Sequence, residues 1–192
     1  LSRKIAIPLL EWLDREGDYQ EYIEAVVKAF RAHLKGVHYA ELADAAEQLV
    51  EAQGKRTYRY TRDLIRRLRK THVLLAISGS PSDIVAEFAR AFQFDAAYGR
   101  IFATDSRKRY TGQVSNEIFL KNKRKMVERF LSERKLSLRG SIGVGDTEVD
   151  IPFLERVERP IAFNPNNRLY QVARKRGWKI VVERKDVVFH IA

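Results

Sequence analysis

The chain has 192 residues, no cysteine and a formal net charge of +11. Its length suits one domain with a modest insertion, and its 45% hydrophobic content suffices for a packed core. The lack of cysteine excludes disulfides and thiolate metal sites. No apolar run approaches the roughly 18 residues that a membrane span needs. No secretory signal is visible, so the cytoplasm is the expected location. The first residue is Leu1 and not Met, so the natural start is expected further upstream. The positive charge favours anionic partners, from phosphorylated metabolites to nucleic acid and acidic membrane surfaces. The basic residues are spread over Arg62 to Lys70, Arg107 to Arg109, Lys121 to Lys125 and Arg174 to Arg176, and read as solvated helix faces. No nucleic-acid-binding motif accompanies them, which makes a nucleic-acid partner the weaker reading.

Residues 3–69 read as helical throughout. Ile5, Leu9, Leu10 and Leu13 recur at helical spacing until Gly17-Asp18 breaks the pattern. Tyr22, Ile23, Val26, Val27 and Phe30 predict a second amphipathic helix, stopped by Gly36. A third carries Leu42, Ala45, Ala46 and Leu49 and ends near Gly54. A fourth sets Tyr60, Leu64, Ile65 and Leu68 against Arg62, Arg66, Arg67 and Arg69. From residue 72 the pattern changes. Residues 73–77 form an apolar run that predicts a strand buried on both faces. A helix over 82–92 follows, with Ser80 as its expected N-cap and Pro81 at its first position. Strands are expected over 98–102 and 109–114, around the polar turn Asp105-Ser106-Arg107. Then come a helix over 116–134, a strand over 141–145, a helix over 149–156, a strand over 160–164, a helix over 167–175 and a strand over 178–182. This alternation predicts an α/β fold with a parallel, doubly wound sheet over 71–192, preceded by a helical region over 1–70.

Three stretches carry chemistry. The first is Ile77-Ser78-Gly79-Ser80-Pro81, a strand end passing through glycine into a helix start. The Ser78 hydroxyl and free N–H groups there suit phosphate oxygens, and simple capping is the plain alternative. The second is Lys121-Asn122-Lys123-Arg124-Lys125, where a lysine at a helix start can neutralise a phosphate or merely be solvated. The third is Ser141-Ile142-Gly143-Val144-Gly145-Asp146-Thr147-Glu148-Val149-Asp150. It brings two aspartates, four residues apart, to a strand's carboxyl end. Hard divalent cations bind carboxylates on such turns, and ligands bind at such strand ends.

A strand ending in Ser, then Lys at a helix start, then strand-GDxxxD resembles motifs II, III and IV of the haloacid dehalogenase (HAD) superfamily. The phosphoserine-phosphatase-like branch, subfamily IB, is the most similar. Its members insert a small helical cap between motifs I and II, and the resemblance implies that the helical residues 1–70 are such a cap. Tyr110-Thr111-Gly112 and Ile161-Ala162-Phe163-Asn164-Pro165 resemble further segments of that branch. The resemblance covers nearly the whole chain and implies a Rossmann-like three-layer core. It implies Ser78, the Gly79 N–H and Lys123 as phosphate-holding groups, with Lys121 as the alternative lysine. Asp146 and Asp150 would then be the Mg2+ carboxylates. The implied reaction is phosphomonoester hydrolysis through an aspartyl-phosphate on a small phosphorylated metabolite.

The chain departs from that pattern at motif I, DxDx[TV], which supplies the nucleophile and the general acid/base. Asp14, Asp18, Asp44 and Asp63 all lack a preceding strand. The expectation is that a segment of roughly 15–25 residues carrying motif I lies upstream. The chain as it stands would then turn over no phosphate ester, and the strand between the motif II and motif IV strands would be missing, leaving apolar edges. A catalytically inactive HAD-like binding protein and phosphoserine phosphatase proper are the alternatives. The latter needs a cap arginine for the substrate carboxylate. Phe30 falls at that place, with Arg31 beside it. His33, His38, His72 and His190 show no metal-ligand spacing, and Trp12 and Trp178 are expected to pack a core or cap interface.

Overall fold

In the computed structural model, residues 19–115, 122–184 and 186–191 are described, together with Ile7, Leu10, Leu13 and Asp14. The expected first helix and Trp12 lie essentially outside these residues. The helices α1 (Tyr19–Leu34), α2 (Tyr39–Gln53) and α3 (Arg59–Leu68) come first. Gly36 ends the first at φ +86°, a conformation open to glycine. His38 starts the second. Its Nδ1 accepts from the Ala40 N–H at 3.3 Å while Glu41 accepts from the His38 N–H at 3.1 Å, a reciprocal cap.

Strand β1 (Leu75–Pro81) leads into α4 (Ser82–Ala91), and β2 (Ala96–Arg100) pairs with β1 in parallel. Strands β3 (Phe102–Thr104) and β4 (Tyr110–Val114) form an antiparallel hairpin. Helix α5 (Lys123–Arg134) begins at an Asn122 cap whose side chain accepts from the Lys125 N–H at 3.0 Å. The expected start at 116 lies outside the described residues. Strand β5 (Ile142–Gly145), a short 3-10 turn, α6 (Ile151–Leu154), β6 (Arg159–Phe163), α7 (Asn167–Arg176) and β7 (Lys179–Arg184) complete the alternation. An eighth strand, β8 (Val187–Ile191), runs antiparallel to β7. Sequence reading omitted it because the helix–strand alternation stops at β7.

The strands fall into three sheets, β1-β2, β3-β4 and β5-β6-β7-β8. β5, β6 and β7 are parallel, as the doubly wound pattern requires. Among the described residues, β1 pairs only with β2, and β5 only with β6. The segments leading into β1 and β5 nonetheless meet, His72 Nε2 lying 3.4 Å from the Gly140 carbonyl oxygen. The run expected to be buried on both faces is only partly so: Leu75, Ala76 and Ile77 are half-buried and Val73 is exposed.

Three apolar clusters hold these pieces. Leu154, Ala162, Leu169, Ala173 and Ile180 pack α6 and α7 on the main sheet, with Trp178 against them. Leu34, Leu42, Phe102 and Tyr110 join α1 and α2 to the hairpin. Leu64, Ile161, Phe163 and Val181 seat α3 on the main sheet. So α3, read with the helical cap, packs on the β5–β8 layer. Glu183, 5% exposed on β7, fixes the start of that helix. Its carboxylate accepts the Arg59 and Tyr60 N–H groups at 2.8 and 2.9 Å, where the helix has unmet donors and a positive dipole end. Glu183→Ala strips both bonds from the first turn of the helix and leaves its part-buried donors without the carboxylate. Urea unfolding should show a stability loss of about 2 kcal/mol.

Candidate active site

Four residues carry β5 to its carboxyl end, where Gly145 opens the loop that bears Asp146 and Asp150. Asp150 folds back under this loop and is 2% exposed. Its Oδ2 accepts the N–H groups of Asp146 and Thr147 at 3.0 and 3.3 Å. Its Oδ1 lies 2.5 Å from Lys123 Nζ at the first turn of α5. Both oxygens are therefore engaged, and the buried carboxylate has the charged partner and hydrogen bonds that burial demands. Gly145 makes room for this. A Cβ there would stand 2.5 Å from the Asp150 Cβ and 2.7 Å from its Oδ2.

Asp146 lies beside the Asp150 carboxyl. It is exposed at the loop's mouth, with protein behind it. Partial desolvation pushes its carboxyl pKa up, the Asp150 charge raises it further, and Lys123 opposes both. The Lys123 side chain is 20% exposed. An ammonium has three donors, and Asp150 takes one of them. The loop thus presents a solvent-facing carboxylate beside a partly exposed cation. Among the described residues, no group of three His, Asp or Glu side chains is placed to hold a metal.

Ser78 and Gly79 stand elsewhere, in the β1-β2 sheet. The β1-β2 register breaks between Ile77 and Pro81, so Ser78-Gly79-Ser80 bulges out at the strand's end. The Ser78 Oγ accepts the Ser80 N–H at 3.2 Å, and Arg100 Nε donates to the Gly79 carbonyl at 3.1 Å. The expected Ser80 cap does not form. The strand continues to Pro81, which occupies the cap position of α4 without a side-chain bond. Gly99 lets β2 pass this turn closely, since a Cβ there would lie 2.5 Å from the Ser82 Cα. Of the candidate lysines, Lys123 joins the aspartate loop, and Lys121 lies outside the described residues. Arg31 is tied to the hairpin, its Nε donating to the Gly112 carbonyl at 3.0 Å.

Sequence reading passed over two residues of the loop's other flank. The Asn166 N–H donates to the Asp146 carbonyl at 2.8 Å, and its side chain caps α7 through the Leu169 N–H at 3.0 Å. Its amide also donates to Glu148 Oε2. Asn166 was findable as a helix cap, since Asn before a helical run is a start signal. Its bond to the aspartate loop is long-range and left no local signal.

The family model for haloacid dehalogenase-like hydrolases matches residues 7–155. The chain belongs to that family. The phosphoserine phosphatase SerB1 of Mycobacterium tuberculosis (strain ATCC 25618 / H37Rv) is 29% identical over 152 residues, 78% of this chain and 49% of its own. The histidinol-phosphatase of Neisseria meningitidis serogroup C (strain 8013) is 29% identical over 111 residues, 56% of this chain and 50% of its own. The chain thus spans about half the length of these curated relatives. A solved structure described as a phospho-aspartyl intermediate analogue of phosphoserine phosphatase superposes with a TM-score of 0.61 at 20% identity. That match covers 95% of this chain and 81% of the other, and shows the shared fold. Among the described residues, no helix is long and apolar enough to cross a membrane.

Two expected outcomes follow from the loop. Gly145→Ala should cost about 2–3 kcal/mol in chemical denaturation, because the new methyl meets a carboxylate held at both oxygens. Asp146 has a raised folded pKa, so the folded state binds its proton more tightly than the unfolded chain. Its contribution is favourable in acid and is lost as pH rises through the folded pKa. In metal-free buffer, Asp146→Asn should therefore raise the thermal midpoint at neutral pH, and the gain should vanish below the ordinary carboxylate range. A midpoint difference that does not change with pH would contradict this assignment.

Proposed function

We propose that this chain forms the phosphate- and Mg2+-binding part of a HAD-type phosphomonoester hydrolase for a small phosphorylated metabolite. The observation that carries the reading is the Lys123–Asp150 lock beneath the exposed carboxylate of Asp146. Lys123 is set to hold a phosphoryl oxygen as charge moves during transfer. Ser78 and the Gly79 N–H are the further phosphate holders, since the bulge at the end of β1 leaves this stretch looped out beyond its ladder. The cap in this reading is built from α1 and α2, which the hairpin anchors, and it chooses the substrate while excluding water.

Asp146 suits Mg2+ by its hard oxygen donors, its exposure and its raised pKa, which a divalent cation beside it would reverse. Asp150, expected as the second metal carboxylate, is better read as the residue that orients the loop and Lys123, because both its oxygens are taken. When bound, the ion supplies Lewis-acid polarisation of the phosphoryl group. The remaining carboxylates, including the nucleophile and the acid/base, are in this reading delivered by a strand seated between β1 and β5. The support is that neither strand has a partner on its second edge among the described residues.

The substrate stays at the level of a phosphorylated metabolite. Arg31, the candidate clamp for a phosphoserine carboxylate, already serves the Gly112 carbonyl. A catalytically inactive binding protein is the second reading, favoured by the lack of a three-carboxylate cluster among the described residues. One experiment separates the two. A strand bearing Asp-x-Asp-x-Thr is joined ahead of Leu1, and p-nitrophenyl phosphate hydrolysis is followed with and without Mg2+. Hydrolysis is expected in the joined protein only, and only with Mg2+. Asp146→Asn should bring it to background, and Lys123→Ala should lower kcat roughly 10²–10³-fold. Phosphate binding without turnover in the joined protein would replace the hydrolase reading with the binding one.

A further inference from the structure

A cavity of about 610 Å3 opens at the end of the main sheet opposite the aspartate loop. Its walls come from α3, the end of α7 and the first residues of β5, β6 and β7, including Ile142, Arg159 and Lys179. Asp146 follows the last residue of β5. At the rise of a strand, about 3.3 Å per residue, the cavity stands roughly 13 Å from that loop. It is a separate site. Its volume lies in the range that takes a drug-sized ligand.

The lining has a consistent chemistry. Four cationic side chains, Arg67, Arg159, Arg176 and Lys179, face two carboxylates, Glu155 and Glu158. Both carboxylates are already engaged. Glu155 lies 2.7 Å from Arg176, and Glu158 accepts the Gly140 N–H at 2.6 Å. Arg67 on α3 has no carboxylate partner among the described residues, and Lys179 Nζ sits 5.3 Å over the Tyr60 ring. The apolar part of the wall includes Tyr60, Leu64, Pro160 and half-buried Trp178. Among the described residues Arg67 has no carboxylate, Arg159 reaches the Gly140 carbonyl oxygen at 3.5 Å and Lys179 rests on a ring, so the opening carries positive charge that no carboxylate neutralises, beside an apolar wall.

We propose that this cavity binds a small organic anion, held by Arg67, Arg159 and Lys179 against the apolar wall of Tyr60, Leu64 and Trp178. Its occupant is distinct from whatever is bound at the carboxyl ends of the strands.

The test uses 2-naphthalenesulfonate as the probe, with 2-naphthol as its uncharged counterpart. Trp12→Phe leaves Trp178 as the sole tryptophan, and its fluorescence is titrated. The expected result is saturable one-to-one quenching by the sulfonate that is much weaker with 2-naphthol. Arg67→Glu combined with Lys179→Glu should weaken it at least tenfold. Lys28→Glu, an exposed change on α1 that alters the net charge without touching the cavity, should shift it less than twofold. Circular dichroism and the thermal midpoint verify that each variant folds. Arg159→Gln, a milder change, gives an independent reading, with an expected loss of severalfold. The proposal is overturned if quenching never saturates, if the double variant binds as before, or if Lys28→Glu weakens binding equally.

Discussion

The candidate site depends on one buried carboxylate. Asp150 satisfies the two N–H groups that open the loop and the ammonium that closes it. A 2%-exposed carboxylate without such partners would be too costly to keep ionised. The bond to Lys123 therefore constrains two elements at once. It fixes the first turn of α5 against the end of β5, with the exposed Asp146 beside it on the same loop. Gly145 is part of this constraint, since only the absence of a side chain leaves room for the folded-back carboxylate. Asn166 extends it, because its N–H holds the Asp146 carbonyl while its side chain starts α7.

Among the described residues, the main sheet and the β1-β2 pair are joined by helices and side chains, with no ladder between them. Helix α3 lies on the main sheet through Leu64 and Leu68 and then passes into the segment before β1. Tyr98 of β2 meets Phe130 of α5 edge-on at 6.4 Å. These contacts are side-chain packing and lack the geometric rigidity of a strand pair. The relative placement of Ser78 and Lys123 consequently rests on packing, whereas the placement of Lys123 and Asp146 rests on hydrogen bonds.

Much of this was legible from residue pattern. The order of helices and strands after residue 72 and the parallel sheet follow from periodicity and glycine breaks. The misses have physical causes. Asp150 and Asp146 look alike in sequence, and only burial separates a loop-holding carboxylate from a solvent-facing one. Ser80 looks like a cap, yet the strand runs on through it and Pro81 takes that place. Helix α3 reads as one more cap helix because its apolar stripe resembles those before it. Its true partner, the sheet, is fixed by Glu183, which lies 124 positions from Arg59 along the chain. β8 went unseen because an antiparallel return strand breaks the alternation that predicts parallel ones.

Helix α3 has two faces with different work. Its Leu64 face is buried on β6 and β7, and Glu183 holds its first turn, so the helix is anchored at its amino end and along one side. Its Arg67 face opens into the cavity at the amino ends of the strands. Its carboxyl end is held as well: Leu68 packs on the same cluster, the Arg69 guanidinium donates to the Gln93 side-chain oxygen at 2.8 Å, and His72 Nε2 lies 3.4 Å from the Gly140 carbonyl oxygen. The helix is therefore tied at both ends and along one side, and the packing that seats it on the sheet also sets the wall it gives to the cavity.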